Sequence, residues 1–227
     1  MWLITKVALI LIVAIGIACS IASSSTRTNE IKDLAPSAGD PVTAESAKNT
    51  QTAIFAGGCF WGVDAVFRHV KGVTEVRSGY SGGDLANPTY EQVSEGDTGH
   101  AESVRVKFDP TKVTYTQLLT IFFSVVHDPT ELNYQGPDHG TQYRSAIFYS
   151  NDEQKQLAQQ YIDSINKSKV FDKPVVTQVS PLKAFYDAED YHQDYLAGHK
   201  TQPYIVINDL PKVAALKEKF PDLYTEK

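Results

Sequence analysis

Cysteine is scarce in this chain: 227 residues hold two, Cys19 and Cys59. A disulfide scaffold is therefore excluded, because one bridge does not staple a chain of this length. A basic stripe is missing as well. Lys and Arg number 21 against 27 Asp and Glu, a formal net charge of −6 spread along the sequence, which argues against nucleic acid as a partner. No internal repeat is visible. The histidines outside position 100 (His69, His127, His139, His192 and His199) lack metal-ligand spacing such as H-x-x-x-H, so no metal is expected. What remains is globular composition, 42% hydrophobic and 21% charged, with 12 Tyr and 10 Phe. So many phenols suggest a core or pocket with hydroxyl handles.

The chain opens with one positive charge at Lys6 and an apolar run, Val7 to Ala18. These are the n- and h-regions of an export signal, read here as residues 1–22. Cleavage after Ala22, lipidation at Cys19, or retention of the uncharged stretch Val7 to Thr26 as a membrane anchor of about 20 residues all remain open. Each delivers the domain to a periplasmic or other extracytoplasmic location, and the last two attach it to a membrane. Residues 23–51 are rich in Ser, Thr, Ala and charge and have no aromatic. Such a tract buries too little surface to offset its chain entropy and reads as a disordered linker.

The folded domain is expected over 52–227. Thr52 to Ala56 reads as a buried strand, broken by Gly57-Gly58. Phe60, Val63, Val66, Phe67 and Val70 then recur at helical spacing. Cys59 thus falls at a strand–turn–helix junction, where unpaired backbone N–H groups lower a thiol's pKa. Further strands are expected at Val73 to Tyr80, Ser103 to Phe108, Ser145 to Tyr149, Val175 to Val179 and Tyr204 to Ile207. Thr114-Tyr115-Thr116-Gln117 resembles a capping box before a helix reaching Val126. Ser150 is the expected cap of another helix, running to Ser168. A short helix follows at Tyr191 to Ala197, and Pro211 starts a last one with Val213, Leu216 and Phe220 on its face. His127 to Tyr143 is left as a long loop, a length that compact domains usually reserve for function. The irregular alternation places the chain in the α/β (α+β) class with a mixed sheet.

By position alone, Cys59 with Phe60 and Trp61 fits a buried core as well as a reactive site. Three tracts combine polar, aromatic and glycine residues where a core would not: Asn87 to Tyr90 with Gly99 to Glu102, Asp138 to Ser145, and Ala188 to Gln193. With Gly58-Cys59-Phe60-Trp61-Gly62, Tyr80-Ser81-Gly82-Gly83, Pro88-Thr89-Tyr90, Thr98-Gly99-His100-Ala101-Glu102, Gly140-Thr141-Gln142-Tyr143-Arg144-Ser145 and Tyr191-His192-Gln193 in this order, the chain resembles the peptide methionine sulfoxide reductase A family from about Ile54 to Leu196. The resemblance implies a two-layer sandwich with a ferredoxin-like core. It implies thiol-dependent reduction of methionine S-sulfoxide, free or in proteins, through a sulfenic acid. It implies Cys59 as nucleophile, Phe60 and Trp61 around the substrate methyl group, and Glu102 as the acid that protonates the sulfoxide oxygen. Tyr90 and Tyr143 are implied as phenols bonding that oxygen. Asp138 is implied as a carboxylate linked to Tyr143 and to the later thiol step. The chemistry needs a nucleophile at sulfur and a proton at oxygen, and Glu102 supplies the proton only if burial raises its pKa.

The chain departs from the pattern where many members carry resolving cysteines: none follows Cys59, and Ser94 stands where relatives often have cysteine. An internal disulfide relay is thereby excluded, so an external thiol is expected, from a thioredoxin-like or glutaredoxin-like protein or a small molecule, and no other cofactor. No interface is legible, and a monomer is the default. His100-Ala101-Glu102 also matches the H-x-E of zinc deaminases, but the Pro-Cys-x-x-Cys partner is absent. Two other readings stand beside the reductase: a cysteine hydrolase using Cys59 with His100 or His192, and a non-catalytic module that binds oxidised methionine.

Overall fold

The computed structural model describes residues 27–35 and 50–227. The expectations placed on residues 1–26 and on Cys19 fall outside these residues. A short helix, α1 (27–33), precedes the sheet domain. It is followed by β1 (Gln51–Gly57), α2 (Phe60–Arg68), β2 (Val73–Ser81), α3 (Tyr90–Ser94), β3 (Ala101–Phe108) and α4 (Tyr115–Ile121). Then come β4 (Tyr134–Gln135), β5 (Asp138–His139), β6 (Ser145–Tyr149), α5 (Asp152–Ser168), β7 (Gln178–Pro181), β8 (Phe185–Asp187), α6 (Tyr195–Gly198) and α7 (Leu210–Lys219).

Six strands form one sheet in the order β7-β6-β1-β3-β2-β8. The four central strands are antiparallel to one another, β8 joins antiparallel to β2, and β7 joins parallel to β6. With α2 connecting β1 to β2, α4 lying between β3 and β6, and α5 connecting β6 to β7, this is a ferredoxin-like core in a mixed sheet, as expected. The strand period of two sorts the side chains. Ala53 and Phe55 of β1, Val104, Val106 and Phe108 of β3, and Ile147 of β6 join the main core under the helices. Ile54 and Ala56, with Ala146 and Phe148, form a smaller cluster on the other face. Both faces of β1 are thus covered, which is why its sequence is almost continuously apolar. The core is built from aromatic and branched residues, and the chain's one methionine is Met1.

Local signals explain most boundaries. Thr114 accepts from Gln117 N, and the Gln117 side chain accepts in return, closing the expected capping box. The helix continues past Ile121 as a π-helical turn, Phe122–Val126. Asn151, not Ser150, caps α5 through its side chain at 2.8 Å from Gln154 N, and Gln154 in turn accepts from Ser150 N. The loop after His127 holds the β4–β5 hairpin and a 3-10 turn, Thr141–Tyr143. The helix expected over Tyr191 to Ala197 is split between a 3-10 turn, Asp190–His192, and α6. The Gln193 side chain causes the break by bonding both Ser78 N and Ser78 O.

Two expectations are corrected. Tyr204 to Ile207 is not a strand: Ile205–Asp209 is a π-helical turn. Winding buries Ile205 against Ala65 and Leu196 and buries Asp209 one turn later, while Val206 and Ile207 face solvent. Tertiary contact overrides the β-propensity of Tyr-Ile-Val-Ile. The second correction concerns the tract read as a disordered linker, part of which is α1. A few apolar residues dock this segment: Ile31 is 1% exposed in the main core, Leu34 and Ala35 pack against that core, and Tyr161 OH donates to Ile31 O at 2.7 Å. Ile31→Ala is expected to cost about 2–4 kcal/mol, the usual loss for a large-to-small core change. Chemical denaturation read by fluorescence checks this; an unchanged midpoint would mean that α1 adds nothing to the fold.

Candidate active site

Gly58 turns the chain from β1 into α2 with φ +93°. A Cβ there would lie 2.7 Å from Gln135 Cγ, so the β4–β5 hairpin closes directly on this turn. Gly58→Ala combines left-handed strain with that clash. It is expected to destabilise the fold by about 1–3 kcal/mol and to lower turnover with it, readable as a fall in melting temperature.

Cys59 is the N-cap residue of α2, 8% exposed. The expectation that the helix N-terminus lowers its pKa does not hold. Burial, then the nearby Glu102 and Asp209 carboxyls, push it well above the ordinary thiol value. The Trp61 amide and Lys212 oppose this. The reason is burial, which outweighs the help the helix end gives through the Trp61 amide. The neighbouring Phe60 N–H donates to Glu102 Oε2 at 3.0 Å, so the helix end is shared between the thiol and a carboxyl.

Glu102 is the second residue of β3, opposite Tyr80 of β2 and 2% exposed. Burial pushes its pKa to about 8; the Phe60 N–H opposes the rise, and Asp138 and Asp209 add to it. The raised pKa required of this residue is present. Tyr90, at the start of α3, and Tyr143, in the 3-10 turn, are both half-buried. Burial raises both phenols, and Glu102 and Cys59 act on each of them. The structure thus brings Cys59, Glu102, Tyr90 and Tyr143 to one place from α2, β3, α3 and the segment before β6.

Asp138 joins them with a different partner. Its Oδ2 accepts a hydrogen bond from Tyr204 OH, not from Tyr143, whose phenol senses the carboxyl only as the weakest of several influences. Phe60 is 1% exposed, between the rings of Tyr80 and His192. Trp61 is half-buried and held on three sides. It stacks on Tyr195 at 3.9 Å, meets Tyr204 edge-on, and donates from Nε1 to His192 Nδ1 at 3.1 Å.

Several residues here escaped the sequence reading. Tyr204 and Asp209 lay in a segment taken for a strand and its tail. His192 was read as structural. Its Nδ1 accepts from Trp61, so its proton sits on Nε2, and burial lowers its pKa. Glu189 accepts from Tyr90 N at 2.9 Å and from Tyr80 OH at 3.0 Å, tying α3 to β2. The Tyr-His-Gln and Glu-Asp-Tyr strings were the available signal. These geometries also weigh on the hydrolase alternative. His100 is consumed between Gly83 N and Leu85 O, and His192 has no lone pair left for a thiol proton.

The comparisons with known proteins agree with this geometry. The family profile described as peptide methionine sulfoxide reductase matches residues 51–224. The peptide methionine sulfoxide reductase MsrA 2 of Mesorhizobium japonicum is 60% identical over 183 residues, covering 81% of this chain and 94% of that protein. The MsrA of Pasteurella multocida is 51% identical over 175 residues, 77% of this chain and 99% of that protein. Among solved structures, methionine sulfoxide reductase A of Corynebacterium diphtheriae superposes with a TM-score of 0.60 at 33% identity, covering 71% of this chain and 77% of that one. Reduced Mxr1 of Saccharomyces cerevisiae gives 0.62 at 32% identity, with 68% and 88% covered. With the profile spanning nearly the whole sheet domain, the chain belongs to the peptide methionine sulfoxide reductase family.

Proposed function

We propose that Cys59 reduces the S epimer of methionine sulfoxide while Glu102 supplies the proton to its oxygen. The observation that carries this is the Glu102 carboxyl, buried at the α2 N-terminus beside Cys59 and holding its proton to about pH 8. A sulfoxide whose oxygen lies among Glu102, Tyr90 and Tyr143 presents its sulfur to Cys59, with its methyl group against Phe60 and Trp61. The Cys59 sulfur attacks the sulfoxide sulfur; Glu102 protonates the oxygen, which departs as water with the thiol's own proton as the S–O bond breaks. Water then adds to the Cys59 sulfur, its released proton returns to Glu102, and the bond between the two sulfurs breaks, so that methionine leaves and Cys59 carries a sulfenic acid. A first external thiol displaces water to give a mixed disulfide, and a second releases Cys59. The balance is one sulfoxide and two thiols to one thioether, one disulfide and one water. Asp138, which accepts from Tyr204 and acts on Glu102 and Tyr143, is the carboxyl assigned in this reading to the incoming thiol.

Cys59 is the one cysteine of residues 27–227, which supports regeneration by a separate thiol, a thioredoxin-like or glutaredoxin-like protein or a small molecule, with no other cofactor. The substrates are oxidised proteins or the free amino acid sulfoxide, and the domain acts as a monomer. The apolar run Val7 to Ala18 supports export, with cleavage, lipidation or anchoring as the mode. The test is turnover of peptides carrying S- or R-methionine sulfoxide with excess dithiothreitol, on residues 27–227 so that α1 is kept. Reduction of the S peptide alone is expected. Equal reduction of both epimers would remove the stereochemical assignment, and reduction of neither by a folded, reduced protein would remove the function.

A further inference from the structure

One buried charge at the base of α2 has no part in the chemistry above. Asp209, at the end of the π-helical turn, has no exposed surface. Its approach to α2 depends on Gly62: a Cβ there would stand 2.2 Å from Asp209 Oδ1 and 2.9 Å from Lys212 Nζ. Lys212, in the first turn of α7, donates to Oδ1 at 3.4 Å, and Oδ2 makes no hydrogen bond with any described residue. Gly62 is the N3 position of the helix that Cys59 caps, and N-cap and N3 side chains are neighbours. The gap left by the glycine beside the nucleophile is therefore filled by an ion pair. A buried pair is expensive, and an apolar side chain at 209 would fill the space at less cost.

We propose that the Asp209–Lys212 pair is a positioning element that sets the thiol–thiolate balance of Cys59, Lys212 favouring the anion and Asp209 restraining it. This rests on Cys59 being the nucleophile. The groups facing Cys59 are Glu102 from β3, Tyr90 from α3, Tyr143, Tyr204, Asp209 and Lys212, with Asp138 behind Glu102. The phenols are neutral and Glu102 keeps its proton to about pH 8. Asp209 is itself raised by burial, and Lys212 opposes that rise. Lys212 and Asp209 thus act on the sulfur with opposite signs, and Lys212 offsets Asp209 at a thiol that burial already disfavours ionising. The same placement accounts for Gly62, the last residue of the Gly-Cys-Phe-Trp-Gly string.

The experiment is the pH dependence of iodoacetamide alkylation of Cys59 in the full chain carrying Cys19→Ser. Lys212→Gln is expected to raise the midpoint by roughly one pH unit and Asp209→Asn to lower it by a similar amount, the reach of one nearby charge. Lys212→Arg should restore the parent curve. Opposite signs in the two charge-removing variants support the proposal; movement in the same direction, or none, overturns it. If Asp209→Asn fails to fold, Lys212→Gln against Lys212→Arg decides alone, since position 212 keeps contact with solvent, and equal curves for the two overturn it. Alkylation reads ionisation whatever the turnover, so activity surviving in Cys59→Ser would remove the nucleophile reading and leave the alkylation result standing.

Discussion

Cys59→Ser is expected to lower sulfoxide reduction by about ten-thousandfold or more, to the background of dithiothreitol alone. Both covalent intermediates of the route, the sulfenic acid and the mixed disulfide, are carried on the Cys59 sulfur, and a serine hydroxyl neither ionises near neutral pH nor holds oxygen reversibly. No other thiol of the described residues stands in: residues 27–227 contain no second cysteine. The fold should survive, because the substitution trades one small N-cap side chain for another, and serine is a favoured cap. A melting temperature within a few degrees of the parent, together with lost turnover, assigns the loss to chemistry. More than a few per cent residual rate would mean that the sulfoxide oxygen leaves by a path that does not pass through Cys59.

Glu102→Gln is expected to cost about a hundredfold to ten-thousandfold in kcat, the range for removal of a positioned general acid. Glutamine keeps the shape and still accepts from the Phe60 N–H, but it has no proton to give. The pH profile separates this from a structural effect. The parent rate should fall as pH rises past about 8, where Glu102 ionises, and the variant should lack that limb. Stability moves the same way. A carboxyl whose pKa is raised on folding binds a proton that the unfolded chain has released. Its contribution is full below the unfolded value of 4.5 and is lost as pH rises toward about 8. The variant should therefore melt closer to, or above, the parent at pH 9 than at pH 4. An unchanged basic limb in Glu102→Gln would assign that ionisation to another group.

The sheet was legible because its strands carry their own evidence. Val104, Val106 and Phe108 alternate with polar neighbours, and β6 emerged with its bounds intact. The site was legible as strings, since Cys59, Glu102, Tyr90 and Tyr143 each sit in a recognisable run. What sequence could not supply was pairing at a distance. Nothing local says that Asp138 bonds Tyr204 rather than Tyr143, because the two tyrosines differ only in what the fold brings to them. The ionisation of Cys59 failed for a related reason. A helix N-terminus is a local feature, but the burial that outweighs it is made by the fold, and Glu102, which adds to the rise, arrives from a strand 42 residues away in sequence. Helix α1 was hidden because only Ile31, with Leu34 and Ala35 just beyond it, docks it on the core, and the composition of its surroundings says the opposite.

The methionine-free core has a consequence for how such an enzyme survives the conditions that create its substrate. Apart from Met1 the chain has no thioether to oxidise, so residues 27–227 cannot become a substrate of their own kind or lose packing through sulfoxide formation. Cys59 holds the one sulfur atom of residues 27–227 and is 8% exposed. Oxidative damage to sulfur is thereby funnelled to a single atom, where the first oxidation product is also a normal intermediate of turnover. A population hit by peroxide is restored by thiol alone, without a second repair enzyme, until Cys59 passes beyond the sulfenic stage.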